Sequence, residues 1–131
     1  MLSIFIGAVT LFIFGALWYT VLFGKMWASL MQFTPEQMAK SKSESMVLKL
    51  AIMFLLNLIT ASTVYYLFPQ LLALSFGEFL HTILIIWVGF IFPLYVGQSL
   101  WEGKSWKLVA LNSVGSILSF VFVSGAIYFM Q

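Results

Sequence analysis

The sequence predicts an all-α membrane protein: four transmembrane helices in an antiparallel bundle, the second extended on the cytoplasmic side and the third kinked at Pro93. Three observations carry this expectation. The 131 residues are 63% hydrophobic and 8% charged, against about a quarter charged in an ordinary soluble domain, which excludes a water-soluble globule. Four uncharged runs, residues 1–24, 50–77, 79–101 and 108–131, each supply the roughly 20 residues that cross ~30 Å of hydrocarbon. The six lysines, Lys25, Lys40, Lys42, Lys49, Lys104 and Lys107, all lie in or beside the first and third connections. In a four-helix chain those connections share a side, and the positive-inside rule makes it the cytoplasm, leaving both termini outside. The expectation is one integral-membrane domain with helices at about 1–24, 35–68, 78–100 and 107–129.

The first helix lacks a basic leading segment and a small-residue cleavage site, and it is longer than a signal peptide's apolar region, so it reads as retained. Gly7, Leu11, Gly15 and Tyr19 recur at four-residue spacing, which predicts a packing face where another backbone approaches closely. Trp18, Tyr19, Phe23 and Trp27 crowd the cytoplasmic end, as aromatic rings do at the headgroup level, and Lys25 with Trp27 anchors the topology.

In the second element Thr34 can cap, Pro35 suits the first helical position and Gln37 completes a Thr-x-x-Gln box. No Gly or Pro follows until Pro69. One helix is therefore expected from Pro35 to Phe68, on the order of 50 Å long. Its first part, to about Met46, stands beyond the bilayer and offers Met38 and Val47 to a partner. Asn57 falls about eleven residues past Met46, near the bilayer midplane. An unpaired amide in hydrocarbon costs several kcal/mol, so Asn57 should face the interior, as glue between helices or as a ligand. Thr60, Ser62 and Thr63 continue its polar side, although hydroxyls can also bond their own helix.

Pro69-Gln70 closes this helix, and Gly77 with Glu78 opens the third. Glu78 and His81 are three apart on one face; they read first as an interfacial pair in water and second as a proton-linked pair. Pro93 lacks an amide donor and clashes with the Gly89 carbonyl, which predicts the kink. Counted from the cytoplasmic end, Pro93 lies about 10 Å deep, Asn112 about 8 Å, and Tyr19 about the same. Trp18, Tyr95 and Gln98 are near that level. Irregular backbone at membrane depth belongs inside protein or beside water, so Trp18, Tyr19, Asn57, Pro93, Gln98, Glu102 and Asn112 are expected to form a cytoplasm-facing polar vestibule.

The fourth helix is rich in small residues, and Gly115, Ser116 and Ser119 predict a close helix contact. Between the third and fourth helices lies Trp101-Glu102-Gly103-Lys104-Ser105-Trp106-Lys107. Trp101 and Trp106 sit at the headgroups, Lys104 and Lys107 hold the turn in the cytoplasm, and Gly103 permits a tight reversal. Glu102 either pairs with a lysine at the surface or turns inward as the vestibule floor.

Several of these stretches carry a resemblance. Gly15-Ala16-Leu17-Trp18-Tyr19, Leu22-Phe23-Gly24-Lys25-Met26-Trp27, Thr34-Pro35-Glu36, Leu100 to Leu108, and Leu111-Asn112 resemble a family of small four-helix bacterial membrane proteins, the domain of unknown function number seventeen sixty-one. The resemblance covers nearly the whole chain. It implies a multi-pass protein of the bacterial cytoplasmic (inner) membrane and brings no activity or catalytic residues. Family members often place a proline after the Trp-Tyr-Ser stretch, where this chain has Thr20-Val21-Leu22, so a proline kink is not carried over.

With no cysteine, arginine or aspartate and only one histidine, disulfides, thiolate metal sites and Ser-His-Asp catalysis within one chain are excluded. No metal, cofactor or enzymatic activity is expected. The net charge of +2 is a topology signal with no nucleic-acid reading. The expected partners are membrane lipids and either further copies of the chain or another membrane protein. The favoured reading is a structural or accessory bundle with a cytoplasmic docking face; the alternative is a small-molecule channel or transporter using the polar vestibule.

Overall fold

The computed structural model describes residues 1–70 and 75–130. Residues 71–74, within the outer connection expected from Pro69 to Gly77, and residue 131 lie outside the described residues. Helix α1 (Leu2–Ala16) continues into a π-helical segment, Leu17–Leu22, followed by α2 (Gly24–Met31), α3 (Pro35–Ser43) and α4 (Met46–Gln70). Helix α5 (Phe76–Ile86) continues through a second π-helical segment, Trp87–Ile91, into α6 (Phe92–Glu102), and α7 (Trp106–Phe129) completes the fold. Among the described residues there is no strand. Four stretches are long and apolar enough to cross a membrane: Leu2–Leu22, Met46–Pro69, Phe76–Glu102 and Trp106–Phe129. They are the first to fourth spans of a multi-pass membrane protein.

Local chemistry explains where the helices start and stop. Thr34 and Gln37 form the expected box, with Thr34 Oγ1 accepting from the Gln37 amide at 3.2 Å and Gln37 Oε1 from the Thr34 amide at 2.9 Å. The single helix expected from Pro35 to Phe68 is, however, broken. Glu44 turns extended, and Ser45 Oγ accepts from the Leu48 amide at 3.2 Å, so a serine caps a new helix without help from glycine or proline. Lys49 secures the joint, reaching Glu44 at 3.1 Å and the Ser41 hydroxyl at 3.1 Å. The extension is thus a separate helix, α3. A second box, Ser75 with Glu78, opens α5. At the other end of that span Gly103 takes a left-handed conformation, φ 69°, and makes the expected reversal.

The fourth span is the centre of the bundle. Of its most apolar window 39% is buried, against 22%, 17% and 17% for the first three. The first span packs on the second and fourth, and the third packs chiefly on the fourth. Ala8, Leu11, Ala61, Val64, Phe79, Ile83, Val123 and Ile127 form the core. Gly7 lies at its closest point: a Cβ there would meet Ile127 Cδ1 at 3.2 Å and Ala61 Cβ and Val123 Cγ2 at 3.3 Å. Gly7 thus stands where the first, second and fourth spans approach one another closely. Gly7→Val is expected to cost about 1–3 kcal/mol through overpacking, measured as a shift in the reversible unfolding curve in mixed micelles. At the lysine-bearing end Lys104 Nζ donates to the Met31 carbonyl at 3.3 Å, which ties the first and third connections together.

Candidate functional cavity within the bundle

Two widened helical turns shape the lysine-bearing half of the bundle. In the first span the Phe23 amide reaches back five residues to the Trp18 carbonyl at 2.9 Å. The Thr20 hydroxyl bonds the Ala16 carbonyl within the same segment. In the third span the Phe92 amide reaches the Trp87 carbonyl, immediately before Pro93. A regular helix containing Pro93 would leave the Gly89 carbonyl without its usual donor, and the wider turn takes up that mismatch. Such π turns are concentrated at functional sites.

Each π segment begins next to a tryptophan that docks on the fourth span. The Trp18 indole lies flat on Gly115, where a Cβ would fall 2.8 Å from ring atoms Cδ1 and Cε2. Its Nε1 is buried and has no hydrogen-bond partner among the described residues. Trp87 Nε1 donates to Ser116 Oγ at 2.8 Å. Beside them the Tyr19 hydroxyl donates to Asn112 Oδ1, also at 2.8 Å. Gly115 and Ser116 therefore serve as contact residues, and Asn112 joins two helices.

Between these elements lies a partly open cavity of about 520 Å³, within the usual size of small-molecule sites. All four spans line it. Phe12, Phe14, Gly15 and Tyr19 come from the first, Leu50, Met53, Asn57 and Thr60 from the second, Ile91 and Tyr95 from the third, and Gly115, Ser116, Ser119 and Phe120 from the fourth. No charged side chain is among the lining residues. Thr60 and Ser119 spend their hydroxyl protons on their own helices, on the Leu56 and Gly115 carbonyls at 3.3 and 2.9 Å. Asn57 is different. It is only 8% exposed, faces the cavity, and has no hydrogen-bond partner among the described residues.

The structure brings together part of the vestibule expected from depth. Tyr19, Asn57 and, through Tyr19, Asn112 belong to the cavity; Trp18 stands behind it against Gly115. Pro93, Gln98 and Glu102 are exposed and line none of it. On the third span Ile91 and Tyr95, four apart, form the inward row, and rotation about the helix axis separates them from residues at similar depth. Glu102 makes no ion pair among the described residues. Gly15, expected to pack, is instead cavity wall, since a Cβ there would meet nothing within 4 Å. Ser119 is likewise a wall residue.

Ser62 and Thr63 turn outward, and the Thr63 hydroxyl bonds the Ile59 carbonyl at 2.9 Å. Leu50, Met53, Phe12 and Phe14 were not expected. A signal for the first two exists in the spacing: Leu50, Met53, Asn57 and Thr60 are three, four and three apart, which is one face of a helix.

The remaining polar candidates lie at the periphery. Trp27 is half-buried and meets the Tyr19 and Phe33 rings edge-on at centroid distances of 5.7 and 5.6 Å. Trp101 and Trp106 are exposed, as are Lys25 and Lys107. Glu78 accepts from the Ser75 amide at 3.1 Å as part of its cap, and His81 is exposed. Among the described residues no group of three or more His, Cys, Asp or Glu could hold a metal ion.

A family model described as a protein of unknown function (DUF1761) matches residues 2–128. No curated protein and no solved structure matches the chain.

Proposed function

The chain belongs to the DUF1761 family, and because membership brings no activity with it, we propose from the cavity that this is a small-molecule-binding membrane protein of the channel or transporter class. The observation that carries the proposal is the Asn57 amide. An asparagine inside a bundle is most often glue, worth about 0.6–2 kcal/mol through a partner on another helix. Asn112 has such a partner in Tyr19. Asn57 faces a cavity instead, and an amide there that nothing in the cavity satisfies costs about 1–3 kcal/mol. That cost is offset when a bound molecule supplies the missing hydrogen bonds. In this reading the lysine-bearing end is cytoplasmic, both termini lie outside, and the cavity sits in the cytoplasmic half of a bacterial inner membrane.

The accessory reading rests on the connection carrying α3, whose residues are exposed throughout. A solvated helix has the same exposure, so this supports docking less than Asn57 supports binding.

Gly15→Phe tests the proposal. The new ring enters open space, so folded stability should stay within ~0.5 kcal/mol of the parent, while uptake of neutral solutes into proteoliposomes should be lost. Uptake that is unaltered by a filled cavity, or absent across a broad panel for the parent protein, would count against transport.

A further inference from the structure

We infer that the cavity takes an uncharged ring compound bearing a hydroxyl or carbonyl group, admitted sideways from the bilayer between the second and third spans. The inference rests on the cavity being a binding site and adds the class of occupant and its route.

Charge is the first discriminator. No lining residue carries a charge, so an ion would shed its hydration shell without a counter-charge, a cost far above what neutral amides and hydroxyls return. The walls supply the second. Rings of Phe12, Phe14, Tyr19, Tyr95 and Phe120 surround the space, and aromatic rings favour offset or edge contacts with another flat ring. The third is the polar atom the occupant must bring. Asn57 offers two amide donors and a carbonyl acceptor, and the Tyr95 hydroxyl has no partner among the described residues. An acyl chain of the surrounding lipid could fill the volume, but it would leave the Asn57 amide unpaired in hydrocarbon. Water could satisfy that amide at the polar part of the lining, where Thr60, Ser116 and Ser119 also stand, but a water needs two to four polar partners, and the rings of Phe12, Phe14 and Phe120 that line the rest of the space supply none.

The route follows from the packing. The second span packs on the first and fourth and the third on the fourth; the second and third meet away from the lysine-bearing end, Phe68 against Phe79 at a centroid distance of 5.1 Å, whereas Leu50 and Met53 of the second share the cavity wall with Ile91 and Tyr95 of the third. Leu50 and Met53 are 46% and 49% exposed while also lining the cavity. A molecule dissolved in the bilayer therefore meets the cavity without crossing water.

The experiment uses the full chain in lipid nanodiscs and three probes sharing one body: para-hexylphenol, hexylbenzene and the permanently cationic para-hexyl-trimethylanilinium. Retention is measured by equilibrium dialysis against empty nanodiscs of the same lipid. The phenol should be held about tenfold more tightly than hexylbenzene, and the cation no more than by lipid alone. Asn57→Leu should bring the phenol down to the hydrocarbon's level and leave hexylbenzene unchanged, while Gly15→Phe should exclude both. Equal retention of phenol and hexylbenzene, both abolished by Gly15→Phe, would overturn the inference but leave the binding site standing. Preferential retention of the cation would also overturn it. If Gly15→Phe alters the retention of no probe, the inference and the binding-site reading fall together.

Discussion

Gly115→Val is expected to cost the folded protein about 3–5 kcal/mol, a large share of the roughly 5–15 kcal/mol by which a typical domain is stable. The Trp18 ring, 6% exposed, occupies the space in which a Cβ on Gly115 would stand. It cannot simply swing aside, because Phe23 and Phe14 brace it at centroid distances of 4.5 and 5.7 Å. The added methyl groups therefore either strain the first span against the fourth or expel the indole. Overpacking alone costs about 1–3 kcal/mol, and loss of a packed tryptophan about 3–5 kcal/mol. Reversible unfolding in mixed micelles should show the shift. Gly97→Ala is the matched control, since a Cβ at Gly97 meets nothing within 4 Å. Equal stabilities for the two variants would mean that Trp18 does not pack on Gly115.

The same contact shows what could be read from the sequence and what could not. Hydropathy gave the first, third and fourth spans to within two residues, and the second at its Pro69 end only, because crossing hydrocarbon demands a fixed length of uncharged chain. Relative height along the bundle was legible for the same reason, as the rise per residue is nearly constant, and Tyr19 and Asn112, counted to similar levels, do meet at 2.8 Å.

Azimuth was not legible. A π turn inserts one residue, which rotates everything beyond it by roughly 100° relative to a regular helix, and here one such turn stands in the first span and another in the third. Residues of α6 grouped by depth alone, namely Pro93, Gln98 and Glu102, consequently fall on the outside, while Tyr95 turns in. Gly7 and Gly15 look alike in the sequence, four-residue steps along one helix. One meets three side chains and the other meets empty space, because the second and fourth spans close on Gly7 and diverge around Gly15. The break before α4 was hidden differently: a serine cap leaves a weaker mark than glycine or proline, and Ser45 is the last of three alternating serines, Ser41, Ser43 and Ser45.

The two asparagines should respond differently to leucine, one with a loss of stability and the other without. Asn112→Leu removes the acceptor of the Tyr19 hydroxyl, which bonds it at 2.8 Å, and leaves a buried donor unsatisfied; the expected loss is about 1–3 kcal/mol. Much of that loss belongs to the stranded hydroxyl and not to the bond itself. Adding Tyr19→Phe to Asn112→Leu should therefore recover part of the stability, since two apolar partners of similar shape replace the pair at little net cost. Asn57→Leu removes an amide that already lacks a partner among the described residues, so the folded state should be unchanged or more stable, even as ligand binding is lost. A stabilising change that abolishes function is the mark of a residue kept for its ligand. Unfolding curves of the three variants decide the matter: if Asn57→Leu destabilises as much as Asn112→Leu, Asn57 is structural, and the cavity loses the side chain on which its reading as a binding site depends.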